Sequence, residues 1–182
     1  MNTWKVIETE RLFLKILELK DKEVFLAYRG NPEVFQFQSW DPPNLQEVES
    51  FIRQNLTVAP NTPDTWLQVG IYLHNGQLIG DIGLHFLEDN AQMEIGYTLA
   101  PEHQGQGYAF EAVKAILDYL FGHLEKHRVI GSVDPENIRS IKLLEKLGFR
   151  REGHFIKSVL IRGEWCDDVI YAMLKEEWLA TR

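Results

Sequence analysis

Residues 93–109 read MEIGYTLAPEHQGQGYA, and this stretch decides the fold. Its first eight residues favour a β-strand that ends before a proline. The loop at 104–107 contains Gly105 and Gly107, and from Ala109 onward apolar residues recur at helical spacing. A strand, a glycine loop and a helix together aim the N–H groups of the first helical turn at an anion. Because neither glycine carries a Cβ atom, a phosphate can approach the backbone closely. We therefore predict that this loop holds a pyrophosphate group.

The composition fits one globular domain spanning residues 1–182. The chain is 45% hydrophobic and 25% charged, enough for a full core at this size. Its single cysteine, Cys166, excludes an internal disulfide framework and a multi-cysteine metal site, and we expect no metal. No apolar run of transmembrane length and no signal-peptide segment is visible, so we expect a cytoplasmic protein without a membrane partner. A net charge of −8 argues against a nucleic-acid partner and favours a cationic substrate such as an amine.

Hydrophobic patterning predicts an α/β fold with a mixed, mainly antiparallel sheet of six or seven strands and helices on both faces. Asn75-Gly76 joins two strand-like runs as a hairpin, and Arg162-Gly163 joins the last two. A helix that crosses over after the glycine loop would make the strands at 92–100 and 128–133 parallel neighbours. The predicted strands cover residues 11–17, 66–74, 77–86, 92–100, 128–133, 149–161 and 165–174, and the predicted helices cover 20–29, 45–56, a long segment from 109, and 137–147.

Two known nucleotide-binding motifs do not match the glycine loop. A P-loop needs Lys followed by Ser or Thr after its last glycine, whereas Gly107 is followed by Tyr108-Ala109. The dinucleotide fingerprint needs a third glycine and a parallel sheet, and the strands before this loop are predicted to be antiparallel. An ordinary tight turn, without a ligand, remains the alternative to a pyrophosphate site.

A third pattern fits the loop and recurs through nearly the whole chain. The loop resembles the acetyl-CoA loop of the GCN5-related N-acetyltransferase (GNAT) superfamily, with the form Gln/Arg-x-x-Gly-x-Gly/Ala. Further motifs are similar to the branch of ribosomal-protein N-terminal acetyltransferases. They comprise Glu8–Leu12, Glu94–Tyr97, Asp134–Ser140, Leu144–Phe149, Gly163–Trp165 and Asp168-Val169.

This resemblance implies acetyl-CoA as the acyl donor, bound where the strands at 92–100 and 128–133 splay apart. The backbone of Leu99 would pair with the pantetheine arm like an added strand. Asn137 would hydrogen-bond the same arm, although it could equally be a helix cap alone. Ser140 would lie near the thioester sulfur, its alternative being a surface helix serine. The pyrophosphate would accept hydrogen bonds from the backbone N–H groups of Gln104, Gly105, Gln106, Gly107, Tyr108 and Ala109.

The catalytic groups are less clearly marked. Many members of the superfamily carry a tyrosine that protonates the leaving thiolate, and Leu144 occupies that position in this chain. Either Ser140 replaces the tyrosine as the acid, or the thiolate leaves without help from an acid. A CoA thiolate is a tolerable leaving group, since the CoA thiol is comparable to that of cysteine, whose pKa is about 8.5. Glu94 is the first candidate for the base that deprotonates the amine, and His85 is the second. Their alternatives are a solvated strand carboxylate and a packed histidine. A backbone N–H near residues 98–99 would stabilise the oxyanion.

We therefore expect an N-acetyltransferase that moves acetyl from acetyl-CoA to a primary amine. The acceptor is most like a protein N-terminal α-amine, with a ribosomal protein as one candidate. A small-molecule amine (a polyamine, amino acid or aminoglycoside) and a non-catalytic CoA-binding sensor are the alternatives. Loops set the acceptor, and aromatic residues between the first strand and the hairpin are candidates for its pocket. These aromatic residues are Tyr28, Phe35, Phe37 and Trp40. The sequence leaves open whether the protein forms a homodimer.

Overall fold

The computed structural model describes residues 4–38 and 44–181, and Trp40 lies outside these ranges. The strands are β1 Ile7–Glu8, β2 Leu12–Ile16, β3 Thr65–Leu73, β4 Leu78–Phe86, β5 Gln92–Leu99, β6 Arg128–Val133, β7 Arg150–Ile161 and β8 Glu164–Leu174. The helices are α1 Lys22–Arg29, α2 Pro32–Phe35, α3 Leu45–Asn55, α4 Tyr108–Asp118, α5 Ile138–Leu147 and α6 Lys175–Ala180. A π-helical turn, Tyr119–His123, continues α4.

Within these ranges the strands form one sheet in the order β1-β2-β3-β4-β5-β6-β8-β7. Only β5 and β6 pair in parallel, which confirms the mixed, mainly antiparallel architecture for the described chain. The sheet has eight strands instead of six or seven. The additional strand is β1, whose two residues pair with β2. Two residues are too few to show the alternation by which a strand is recognised in a sequence.

The parallel pair β5–β6 splays apart, as predicted. Its register contains three pairs, the last of which is Glu94↔Ile130. Beyond that pair, β5 stays bonded to β4 as far as Gly80↔Leu99, and β6 stays bonded to β8 as far as Val133↔Val169. A wedge-shaped gap therefore opens in the middle of the sheet.

Two apolar clusters fix the layers on the two faces of the sheet. On one face α4 packs against β2 and β5, and α5 packs against β6. On the other face α1 and α3 cover a second cluster that includes Phe25, Ile52 and Tyr72. Each fully buried side chain of this size stabilises the fold by roughly 1.5–3 kcal/mol relative to exposure. The two layers leave the gap between β5 and β6 accessible from both faces.

The turns follow the sequence closely. Gly76 has φ +89°, and Arg162 and Gly163 have φ +47° and +81°, so both predicted hairpins form. The short helix α2 was not predicted. Asn31-Pro32 indicates only that α1 cannot continue, but Asn31 accepts a hydrogen bond from Glu33 N and Pro32 starts a new helix. Among the described residues no helix is long and apolar enough to cross a membrane.

Candidate active site

The glycine loop leads directly into α4. Gly105 and Gly107 adopt φ +72° and +83°, values that an L-residue with a side chain rarely takes. The first helical bond runs from Glu111 N to Gly107 O, so the N–H groups before it have no acceptor within the helix. A Cβ built on Gly105 would meet no atom within 4 Å. The loop can therefore present backbone donors to an anion without obstruction.

An arginine from the start of the chain braces this loop. Arg11 Nε lies 2.6 Å from Glu111 Oε2, and Arg11 Nη1 donates to Gln106 O at 3.0 Å. Its guanidinium also lies 4.5 Å from the centre of the Tyr108 ring. Although burial raises the pKa of Glu111, hydrogen bonds from Thr9 and Arg11 lower it below its ordinary value. The Glu8–Leu12 motif thus holds the loop from outside, a role that the sequence alone does not indicate.

Gln104 connects the two walls of the gap. Its Nε2 donates to Leu99 O at 3.0 Å, at the end of β5, and its Oε1 accepts from Arg139 Nη1 at 2.6 Å. Arg139 belongs to α5, which lies across the gap. The side chain of Gln104 therefore links β5, the glycine loop and α5.

A cavity of about 400 Å³ occupies the gap and reaches both faces of the sheet. It brings together three of the candidate residues, Glu94, Asn137 and Ser140. Gly83 and Gly96 face each other across β4 and β5 and also line the cavity, where the absence of side chains leaves room. Further lining residues are Phe37, Phe51, Trp66, Tyr97, Thr98, Ser132, Asp134, Leu144, Asp167 and Asp168.

Glu94 and His85 form a close pair on the α1–α3 face. The two residues are register partners, and His85 Nδ1 lies 3.7 Å from Glu94 Oε2, which is longer than a hydrogen bond. Trp66 stacks on the His85 ring at 4.6 Å, and Asp64 Oδ1 lies 3.9 Å from His85 Nε2. Burial raises the pKa of Glu94 above its ordinary value, while His85 acts in the opposite direction. A carboxylate with this setting can accept a proton from a ligand in the cavity.

Ser140 and Tyr97 meet on the α4–α5 face. Tyr97 Oη lies 2.8 Å from Ser140 Oγ. Asn137 Oδ1 accepts a hydrogen bond from Ser140 N at 3.2 Å, so Asn137 caps α5. This bond uses the oxygen of the side-chain amide and does not involve its NH₂ group. Sequence reasoning did not select Tyr97. Strand alternation could have done so, because it places Tyr97 opposite in direction to Glu94 at the edge of the predicted gap.

The aromatic candidates for the acceptor side separate into different roles. Phe37 lines the cavity, whereas Tyr28 is buried and donates to Asp81 Oδ1 at 2.6 Å. The segment from Phe35 to Gln38 is held by Arg162, which donates to the carbonyl oxygens of residues 35, 36 and 38. The turn of the β7–β8 hairpin thereby fixes the backbone that carries Phe37.

The sequence model of a family described as "Acetyltransferase (GNAT) domain" matches residues 11–150. The chain belongs to the GNAT acetyltransferase family. The N-acetyltransferase YnaD of Bacillus subtilis, itself uncharacterized, is 33% identical over 173 residues, which cover 94% of this chain and 98% of YnaD. The [ribosomal protein uS5]-alanine N-acetyltransferase of Escherichia coli is 36% identical over 88 residues, 48% of this chain and 45% of that enzyme.

Among solved structures, the spermidine N-acetyltransferase of Vibrio cholerae in complex with CoA and spermine superposes with a TM-score of 0.82. It is 25% identical, and the match covers 94% of this chain and 99% of that chain. As a GNAT enzyme, the protein transfers an acetyl group from acetyl-CoA to an amine, which confirms the predicted enzyme class and acyl donor. The named relatives act on different amines, one on a ribosomal protein and one on spermidine.

Proposed function

We propose that this GNAT enzyme acetylates the α-amino group of a protein N-terminus, with a ribosomal protein as the first candidate. The observation that carries the proposal is the carboxylate of Glu94 in the cavity of the β5–β6 gap, whose pKa is raised by burial. An α-amine has a pKa of about 7.7–8.0, so a sizeable fraction is neutral near pH 7. An alkylamine such as a lysine side chain has a pKa of about 10.4 and demands a stronger base. The similarity to the uS5 enzyme supports the same acceptor class.

A polyamine is the second candidate acceptor. Four carboxylates line the cavity, and they would attract a substrate with several positive charges. The structural similarity to a spermidine N-acetyltransferase supports this alternative. The four residues are Glu94, Asp134, Asp167 and Asp168.

For the acyl donor, the proposal assigns the pyrophosphate to the N–H groups of the loop from Gly105 to Ala109, because the N–H group of Gln104 already donates to Pro101 O. The positive φ of both glycines and the start of α4 at Tyr108 support this assignment. The pantetheine arm would run along the edge of β5 at Leu99, where pairing with β6 has ended. Asn137 would contribute its NH₂ group, since its Oδ1 already caps α5.

In the proposed reaction the amine attacks the thioester carbonyl directly. Glu94, directly or through one water and with His85 beside it, takes the proton from the amine. A C–N bond forms, the C–S bond breaks, and the electron pair of that bond leaves on the CoA sulfur. Ser140 lies next to the sulfur, and a backbone N–H of residue 98 or 99 meets the oxyanion.

A substrate panel tests the acceptor. CoA release would be measured with acetyl-CoA and N-terminal peptides of ribosomal proteins, each paired with the same peptide blocked at its α-amine, and with spermidine, free amino acids and an aminoglycoside. We expect release with free peptides and none with blocked ones. Faster turnover of spermidine than of the peptides would make a polyamine, and not a protein N-terminus, the acceptor. Tight CoA binding without turnover of any acceptor would contradict both.

A further inference from the structure

Two hydroxyl groups face each other where the gap reaches α5. Tyr97 Oη lies 2.8 Å from Ser140 Oγ and 3.2 Å from the Ser140 carbonyl oxygen. Both residues line the cavity, and β5 and α5 hold them from opposite walls. Leu144, one turn further along α5, also lines the cavity and packs close to Gly131 of β6. Leucine is apolar and has no hydrogen-bond donor in its side chain, whereas each of the two hydroxyls is one.

The geometry permits two arrangements of the hydroxyl protons. In the first, Ser140 donates to Tyr97, and Tyr97 donates to the Ser140 carbonyl oxygen. In the second, Tyr97 donates to Ser140 Oγ, and the serine proton can point into the cavity. A negative charge that develops in the cavity favours the second arrangement, because it then receives a hydrogen bond from an oriented donor.

We propose that Tyr97 is a positioning residue for acetyl transfer, holding Ser140 Oγ so that the serine proton points at the sulfur of the leaving CoA thiolate. The inference rests on the proposed position of the thioester sulfur beside Ser140. When the C–S bond breaks, Ser140 donates a hydrogen bond to the thiolate and Tyr97 donates one to Ser140. Both hydroxyl groups keep their protons, and the thiolate is protonated later by solvent.

The acidity of Tyr97 agrees with a hydrogen bond rather than proton transfer. Burial raises the pKa of Tyr97 to about 12. A cysteine thiol has a pKa of about 8.5, so Tyr97 is the weaker acid and transfer of its proton to the thiolate is unfavourable. Tyr97 therefore stays a neutral donor throughout the working pH range.

The pKa of the thiol of bound CoA tests the proposal without any acceptor. It can be measured by titrating the protein–CoA complex and following the ultraviolet absorbance of the thiolate. A hydrogen bond to a charged group corresponds to about 1 to 2 in pKa, so Ser140→Ala should raise the thiol pKa by that amount and Tyr97→Phe by about 1. The double variant should match Ser140→Ala, because Tyr97 acts through Ser140. Carboxylates in the cavity are common to all variants, so the differences report the hydroxyl groups.

Tyr119→Phe is the matched control, since Tyr119 is a partly buried tyrosine that packs against Trp4 away from the cavity. It should leave the thiol pKa unchanged. With a turned-over acceptor, Tyr97→Phe should lower kcat about tenfold and leave the KM for acetyl-CoA within about twofold. An equal thiol pKa in wild type and Tyr97→Phe would overturn the inference, and so would a double variant that exceeds Ser140→Ala. Acetyl transfer by the wild type is assayed separately and would stand in either case.

Discussion

Glu94 sits half-buried at the wall of the cavity, and this position sets the pH at which it can act as a base. Burial raises its pKa, so the ionised form appears only at a higher pH than for an exposed carboxyl group. Activity should therefore fall as the pH drops through that raised pKa. We expect Glu94→Gln to lower kcat/KM about 10²-fold at neutral pH. The loss should shrink about two pH units above the α-amine pKa of about 8, where the acceptor is already neutral. A pH profile of kcat/KM measures both effects.

His85 provides the matched variant for this prediction. His85 lowers the pKa of Glu94, so His85→Phe should move the acidic limb of the profile to higher pH and keep the plateau. Loss of activity at every pH would instead make His85 the base. The KM for acetyl-CoA should be unchanged in both variants, because neither residue belongs to the glycine loop.

The sequence predicted some residues of the candidate site and missed others. Glu94, Asn137 and Ser140 belong to motifs with fixed spacing, and the cavity contains all three. Tyr97 and Arg11 lie within quoted motifs, but their partners are fixed only by the fold: Ser140 is 43 residues from Tyr97, and Glu111 is 100 residues from Arg11. Periodicity predicts which face of an element a side chain lies on, but it does not predict which distant residue that side chain contacts.

The glycine loop gives a test of backbone conformation. Gly107 has φ +83°, and the hairpin residue Gly76 has a similar φ of +89°. An alanine in this region costs roughly 1–2 kcal/mol at either position. We expect both variants, Gly107→Ala and Gly76→Ala, to lower the free energy of unfolding, measured by urea denaturation, and Gly107→Ala by somewhat more, because its Cβ would lie 3.3 Å from Arg11 Nη2 whereas that of Gly76 would meet no atom within 4 Å.

Only Gly107→Ala should weaken CoA binding, by about tenfold, because only that turn presents N–H groups to the pyrophosphate in our proposal. Calorimetric titration with CoA measures the difference between the two variants. Equal affinities would remove the pyrophosphate from this loop.

Elements with strong local signals were predicted well, and weak ones were not. The Asn75-Gly76 turn forms as predicted, and α5 ends at Leu147, the last residue of the predicted helix, with Gly148 after it in the left-handed conformation. α2 and α6 have four and six residues, too few for helical periodicity to be visible. The parallel pairing of β5 and β6 followed from the crossover through α4.

A buried ionic network ties the α1 layer to the centre of the sheet. Asp81 of β4 is fully buried and accepts hydrogen bonds from Tyr28, Arg29 and Gln68. Arg29 continues the network to Gln38 at 2.6 Å. The sequence gives no sign of it, since Arg29 and Asp81 are 52 residues apart.

Asp81→Asn keeps the shape of the side chain and removes the buried negative charge that pairs with Arg29. We expect a loss of about 3–5 kcal/mol in the free energy of unfolding, from urea denaturation. That is a large share of the 5–15 kcal/mol typical of a domain. Asp64→Asn is the control, because Asp64 is exposed and has φ +56°, which asparagine tolerates. A similar loss in both variants would contradict a special role for the buried pair.

The position of β8 between β6 and β7 has a consequence for synthesis of the chain. β6 forms one wall of the cavity, and its antiparallel partner β8 is the last strand of the described chain to be synthesised. Until residues 164–174 emerge, β6 presents an open edge, and pairing contacts of long sequence separation form late. The cavity is therefore completed only after residues 164–174 have been made, later than the glycine loop and α4.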